Sequence, residues 1–231
     1  MTLRRLLMFL VLTAATDASA QPLTFSRTDI PAVTGARGVV AADFNGDGWI
    51  DVATANAGRD TIAVLLNKRD ETFALAWERY VDGGPFEITA GDLDRDGTPD
   101  LVVANADKST VEVLLIAKNG SLKTHRSISA ASNPRAVALA DVNRDGILDI
   151  VYSAFYQDAL TILNGVGNGT FEARMPAVRT GQRPQGIAAG DFNNDGKIDL
   201  AVANTGASPM TVAYGDGTGR FTRRMSRVRG S

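Results

Sequence analysis

The chain has 231 residues, 44% of them hydrophobic and 22% charged, enough to bury the core of one domain or of two small ones. Its 24 basic and 26 acidic residues leave a net charge of −2, which argues against a nucleic-acid partner. No apolar run of membrane-spanning length lies beyond the N-terminus, cysteine is absent, and the 23 glycines exceed the usual share of ~7%.

The first element is an export signal. Arg4 and Arg5 precede an apolar stretch from Leu6 to Ala15, and Ala18-Ser19-Ala20 has the small-residue pattern of a cleavage site. The apolar stretch is too short to span a bilayer. Residues 1–20 are therefore expected to be a signal peptide, and the mature protein to be secreted or periplasmic, in a bacterial setting. Without cysteine, an exported chain must draw its stability from core size or bound metal.

From residue 22 onward one pattern repeats. A short run of small and β-branched residues (Gly38-Val-Val-Ala-Ala) leads into an acidic loop, Asp43-Phe-Asn-Gly-Asp-Gly-Trp-Ile-Asp51. The strand-like Asp51-Val-Ala-Thr-Ala-Asn56 and Thr61-Ile-Ala-Val-Leu-Leu66 follow, and a more polar stretch completes the unit. The loop returns as Asp92-Leu-Asp-Arg-Asp-Gly-Thr-Pro-Asp100, as Asp141-Val-Asn-Arg-Asp-Gly-Ile-Leu-Asp149 and as Asp191-Phe-Asn-Asn-Asp-Gly-Lys-Ile-Asp199. The period is about 49 residues, and half of all the acidic residues lie in these four loops. None of the apolar runs is long enough for a helix, and turns such as Asn119-Gly120 and Asn168-Gly169 separate them. Each unit thus reads as a four-stranded antiparallel sheet with its acidic loop between strands one and two. That makes the chain all-β, and the period is that of β-propeller blades; a β-sandwich is the weaker alternative.

The loops have the composition of a cation cage. Position 1 is Asp43, Asp92, Asp141 and Asp191; position 3 is Asn45, Asp94, Asn143 and Asn193; position 5 is Asp47, Asp96, Asp145 and Asp195; position 9 is Asp51, Asp100, Asp149 and Asp199. The glycine at position 6 allows a sharp turn, and the carbonyl at position 7 (Trp49, Thr98, Ile147, Lys197) can add another oxygen. Hard, all-oxygen donors without His or Cys suit Ca²⁺, one per loop and four in all, rather than Zn²⁺ or Mg²⁺. An EF-hand is excluded, because position 12 is Thr54, Val103, Tyr152 or Val202 instead of Glu and the flanks are strands. Ordinary Asx turns would explain one such loop, but not four at one spacing.

The loops DFNGDGWID, DLDRDGTPD, DVNRDGILD and DFNNDGKID, the strands after them and turns such as GNGTF resemble the FG-GAP/VCBS repeats of integrin-alpha-type β-propellers. The resemblance covers residues 22–231. It implies structural Ca²⁺ held at positions 1, 3, 5, 7 and 9, and a role in extracellular binding or adhesion toward a protein or glycan ligand. Such propellers usually have seven blades, and four loops suggest an incomplete or truncated ring. Residues 23–31 read as the fourth strand of a preceding blade, and residues 220–225 start a fourth strand of their own. The alternatives are a compact four-bladed ring or an open array closed by another chain, with self-association through exposed edges.

No catalytic constellation is legible, so the chain is expected not to be an enzyme. The lone His125 reads as a solvated outer-strand residue, Trp49 as packing, and Asn56, Asn105 and Asn204 as turn residues. The basic tail (Arg220, Arg223, Arg224, Arg227, Arg229) reads as a solvated end. A lectin-like propeller and an accessory module of a secreted hydrolase or lyase are the rival functions.

Overall fold

A computed structural model describes residues 34–206 and 208–224. The expected signal peptide, the strand-like residues 23–31 and the end of the basic tail lie outside them. The described residues form four four-stranded antiparallel sheets, one per repeat, as the sequence predicts. The first blade comprises β1 (Ala36–Ala42), β2 (Asp51–Asn56), β3 (Thr61–Asn67) and β4 (Phe73–Tyr80). The second comprises β5 (Pro85–Gly91), β6 (Asp100–Asn105), β7 (Thr110–Ile116) and β8 (Leu122–Ser129). The third has β9 (Val137–Ala140), β10 (Asp149–Ala154), β11 (Ala159–Gly165) and β12 (Phe171–Arg179), with one 3-10 turn at Phe155–Gln157. The fourth has β13 (Pro184–Gly190), β14 (Asp199–Asn204), β15 (Met210–Gly215) and β16 (Phe221–Arg224). In every blade the strands pair in sequence order.

Strands two and three of the second blade are buried on both faces because that blade is sandwiched between neighbours, which explains their unbroken apolar runs. The outermost strand meets water, so no residue of β4 or β8 is fully buried. The core is accordingly divided into three layers between blades. Phe44, Ala55 and Ile62 of the first blade pack against Ile88, Leu101 and Val103 of the second. Leu93, Ala104 and Val111 meet Val137, Ile150 and Tyr152 of the third blade; Val142, Val151 and Leu160 meet Leu200 and Val202 of the fourth. Fully burying a Leu or Ile side chain contributes about 1.5–3 kcal/mol, so these layers hold the blades in line. The innermost strands β1, β5, β9 and β13 follow one another around an axis, but the ring is not closed.

Candidate functional site

Each acidic loop folds by the same set of hydrogen bonds. At position 1, Asp43 Oδ1 accepts the N–H of Asp47 at 3.1 Å and Oδ2 accepts that of Gly48 at 2.8 Å. Asp92, Asp141 and Asp191 bind their own positions 5 and 6 in the same way. The position-5 carboxylate then accepts the N–H of position 7, at 2.9 Å from Trp49 and from Thr98, 2.8 Å from Ile147 and 3.0 Å from Lys197. The N–H of Trp49 draws the Asp47 carboxyl below its ordinary value. The position-6 glycines are left-handed, with φ of +84° at Gly48 and +86° at Gly97. Position 4 is left-handed too, and three of the four loops place a non-glycine residue there (Arg95, Arg144, Asn194), which the sequence pattern did not reveal.

Position 9 has a second task. Asp51 is fully buried; its Oδ2 accepts the N–H of Phe44 at 2.9 Å and its Oδ1 that of Asn67, at the end of β3, at 2.8 Å. Asp100 holds Leu93 and Ile116, Asp149 holds Val142 and Gly165, and Asp199 holds Phe192 and Gly215. One carboxylate thereby ties the loop to the far end of strand three in every blade. Burial pushes Asp100 up to about 6, with the neighbouring charges of Asp94 and Asp96 acting in the same direction. Asp149 is raised for the same first reason.

The second loop brings carboxylates closest. Asp92, Asp94 and Asp100 each place an oxygen within 4.8 Å of the others. Asp94 Oδ1 is buried and has no hydrogen-bond partner, an arrangement that suits a cation ligand. In the other loops position 3 is asparagine, and Asn45, Asn143 and Asn193 each donate from Nδ2 to the position-5 carboxylate at 3.1, 2.9 and 3.3 Å. Three cationic side chains sit at these cages, two of them from outside the loop motif. Lys123 Nζ lies 2.6 Å from Asp94 Oδ2 and 3.4 Å from Asp96 Oδ2; Arg69 lies 3.2 Å from Asp47; Lys197 lies 3.2 Å from Asp195. Only a side chain in the loop itself, Lys197, could have been found from the local pattern.

A second feature lies at the opposite end of the innermost strands. Arg37, Phe86 and Gln185, each at the register shift near the start of its first strand, and Arg135, two residues before β9, line a cleft of about 330 Å³ that adjoins another of about 460 Å³. Guanidinium carbons of Arg37 and Arg135 stand 4.3 and 5.4 Å from the Phe86 ring centroid, and Arg135 also covers Phe155 at 3.8 Å. Neither arginine forms a salt bridge among the described residues. Burial raises the nearby Glu87 carboxyl, which accepts the N–H of Val137.

Two sequence expectations, those for His125 and for Trp49, require correction. His125 is not a solvated residue: its side chain is 18% exposed and its Nε2 lies 2.8 Å from Glu112 Oε2. Asn56, Asn105 and Asn204 do close the turn between strands two and three, as the last, buried residues of strand two, and Asn105 Nδ2 also donates to the carbonyls of Val81 and Asp82 in the connection that leads into the second blade. Trp49 is 46% exposed, with the Arg69 guanidinium 5.9 Å from its ring.

Comparison with known proteins bears on this geometry. Models of the FG-GAP-like repeat match residues 43–103, 92–152 and 151–202, and an FG-GAP repeat model matches residues 184–221. No curated protein matches the chain. Among solved structures, BBS1N in complex with ARL6DN is 16% identical with a TM-score of 0.56, matching 84% of this chain and 57% of its own. A protein from Bacteroides uniformis described as a candidate 6-phosphogluconolactonase is 16% identical, with a TM-score of 0.64 over 85% of this chain and 57% of its own. A protein from Lactobacillus plantarum gives 16% identity and a TM-score of 0.59 over 85% and 57%. The chain therefore spans 57% of the length of each of these structures, and the likeness is one of fold.

Proposed function

Because the chain belongs to the FG-GAP-like repeat family, we propose that it is an exported, non-catalytic β-propeller module whose acidic loops are set by Ca²⁺ and whose task is binding or adhesion. The observation that carries the metal reading is the second loop, where three carboxylates converge within 4.8 Å around a buried, unpartnered Asp94 oxygen. Asp92, Asp94, Asp96 and Asp100, with the Thr98 carbonyl, would hold the ion there. The corresponding residues of loops 43–51, 141–149 and 191–199 would hold the other three. Bound Ca²⁺ would neutralise the crowded carboxylates and fix the hairpin between strands one and two.

The chain's own residues divide the remaining work. The position-9 aspartates hold loop and strand three together, and the loops in turn fix the ends of the innermost strands. The axial cleft of Arg37, Phe86 and Arg135 is the ligand surface in this reading: two guanidiniums that have no carboxylate partner among the described residues, beside an aromatic face, suit an acidic extracellular protein or glycan. The only histidine is engaged by Glu112, which also accepts hydrogen bonds from Thr110, Ser127 and Asn105, so the pair is committed to contacts within its own sheet. No described helix is long and apolar enough to cross a membrane, and an N-terminal signal would place the module outside the cytoplasm.

Calorimetric titration with Ca²⁺ and melting with and without EDTA test the metal reading. Saturable binding near four ions per chain, with a strong rise in melting temperature, is expected; no heat and no thermal shift would overturn it. For the cleft, a polygalacturonate-binding assay should lose at least tenfold in affinity on Arg135→Ala, and equal binding by both proteins would exclude this surface.

A further inference from the structure

Position 4 of each acidic loop is left-handed, at Gly46, Arg95, Arg144 and Asn194. Wherever a further described blade follows, that residue meets the same place on it, the second residue of the turn between strands three and four. A Cβ added to Gly46 would stand 3.8 Å from the Lys118 carbonyl oxygen, one added to Gly167 3.4 Å from Arg95 Cδ, and one added to Gly217 3.0 Å from Arg144 Cδ. Among the described residues only Arg95 reaches on into the next loop. Its Nη2 donates to the Gly146 carbonyl at 3.0 Å, and the N–H of that same peptide unit, which belongs to Ile147, donates to Asp145 Oδ1 at 2.8 Å. Arg95 itself stands between Asp94 and Asp96, so a single peptide group joins the second cage to the position-5 carboxylate of the third. Gly46 has no side chain to build such a link, and the Arg144 guanidinium makes no hydrogen bond among the described residues. A second contact between the two blades, from the Gly169 N–H to the Leu93 carbonyl at 3.0 Å, ends on position 2, which supplies the cage with no ligand.

We propose that Arg95 couples ion binding at the second loop to ion binding at the third, so that these two sites fill cooperatively while the first fills independently. The proposal rests on the calcium reading of the loops and concerns how those sites act on one another. An ion in the second loop fixes Asp94 and Asp96, and with them the backbone that carries Arg95. The guanidinium then holds the Gly146–Ile147 peptide, and hydrogen bonds in series through one peptide reinforce each other. Asp145 is thereby set before the third loop takes its ion, and less ordering remains to oppose that binding. The effect is reciprocal, because the coupling between two sites is one free energy. Arg95 is exposed, so the coupling belongs at the lower end of the usual range, about fivefold in affinity.

Calcium titration of the isotope-labelled chain tests it, read by nuclear magnetic resonance at the position-6 amides of Gly48, Gly97 and Gly146. These follow the loops separately, since each N–H donates to its own position-1 carboxylate. Asp145→Asn, which weakens the third cage, should lower the affinity of the second loop about fivefold. In an Arg95→Gly background, which copies the first loop, the same substitution should leave the second loop's affinity unchanged. Asp96→Asn should leave the affinity of the first loop unchanged, and a fall there would overturn that loop's independence. An equal effect of Asp145→Asn in both backgrounds, or none in either, would overturn the coupling and leave the calcium reading standing. Amides indifferent to Ca²⁺ in all three loops would overturn both.

Discussion

The ammonium of Lys123 lies 2.6 Å from Asp94, where the second loop alone carries a carboxylate at position 3. Asp94 and the nearby Asp96 hold this lysine above its ordinary value, with the hydrogen bond to Asp94 contributing most. The second residue of the fourth strand is Ala74, Glu172 or Thr222 in the other blades, so the extra negative charge and the tethered cation occur together. Lys123→Met should therefore strengthen Ca²⁺ binding at one loop several-fold while slightly lowering the melting temperature in EDTA. Calorimetric titration resolves the first effect and a thermal scan the second; an unchanged titration would show that the lysine does not compete with the ion.

Positions 5 and 9 of one loop should respond differently to loss of charge. Asp149 is fully buried and both its oxygens accept backbone N–H groups, from Val142 at 3.0 Å and Gly165 at 2.9 Å. An amide there turns a donor toward a donor, which costs about 2 kcal/mol whether or not metal is present. Asp145 is exposed and its local partners sit in the loop. Asp149→Asn should accordingly lower stability in EDTA and in Ca²⁺ alike, whereas Asp145→Asn should lower it mainly in Ca²⁺. Denaturant titrations of both variants under both conditions make the comparison.

The blades were legible because the signal is periodic: four loops at one spacing mark where strand one turns into strand two, and Val/Ile-rich runs mark the buried strands. The cages were legible only as composition. The double engagement of Asp51 and its equivalents joins residues 7 and 16 positions away, and the Lys123–Asp94 contact joins residues 29 apart, pairings that depend on how the sheet folds back. His125 was misjudged because its strand is polar, while the buried acid it meets, Glu112, stands on the neighbouring strand amid an apolar run. The axial cleft gave no signal at all, since Arg37, Phe86, Arg135 and Gln185 differ chemically and share only a place in the repeat.

Glu112 sets a pH dependence. Burial opposes its ionisation, but hydrogen bonds from His125 at 2.8 Å, Thr110 at 2.6 Å and Ser127 at 3.0 Å outweigh it and hold the carboxyl below 4.5. A carboxyl whose folded value is depressed stabilises the protein above its unfolded value and loses that contribution as pH falls through the folded one. Stability should therefore decline as pH is lowered from about 5 toward 3, and Glu112→Gln, less stable at neutral pH, should flatten that decline. Urea titrations at half-unit pH steps in EDTA would show it; parallel curves for the two proteins would assign the acid sensitivity to other groups.

Trp77 joins the first two blades through a single polar contact, its Nε1–H donating to the Gly120 carbonyl at 2.9 Å, while its ring packs against the layer of Phe44, Ile62 and Leu101. Gly120 sits in the β7–β8 turn at φ +79°, with an added Cβ meeting Asn45 at 3.2 Å and Leu66 at 3.3 Å, so the turn fits closely over the first blade. Trp77→Phe keeps most of the apolar contact and leaves the carbonyl without its donor, a loss of about 1 kcal/mol. For a chain of this size that corresponds to about 2–4 °C in melting temperature. Gly120→Ala should cost more, because it adds the close contacts to a left-handed backbone that favours glycine. If the contact acts between blades, each substitution should raise amide hydrogen exchange in β3 and β7 more than in β14 and β15, whereas uniform acceleration would indicate a general loss of stability with no local link.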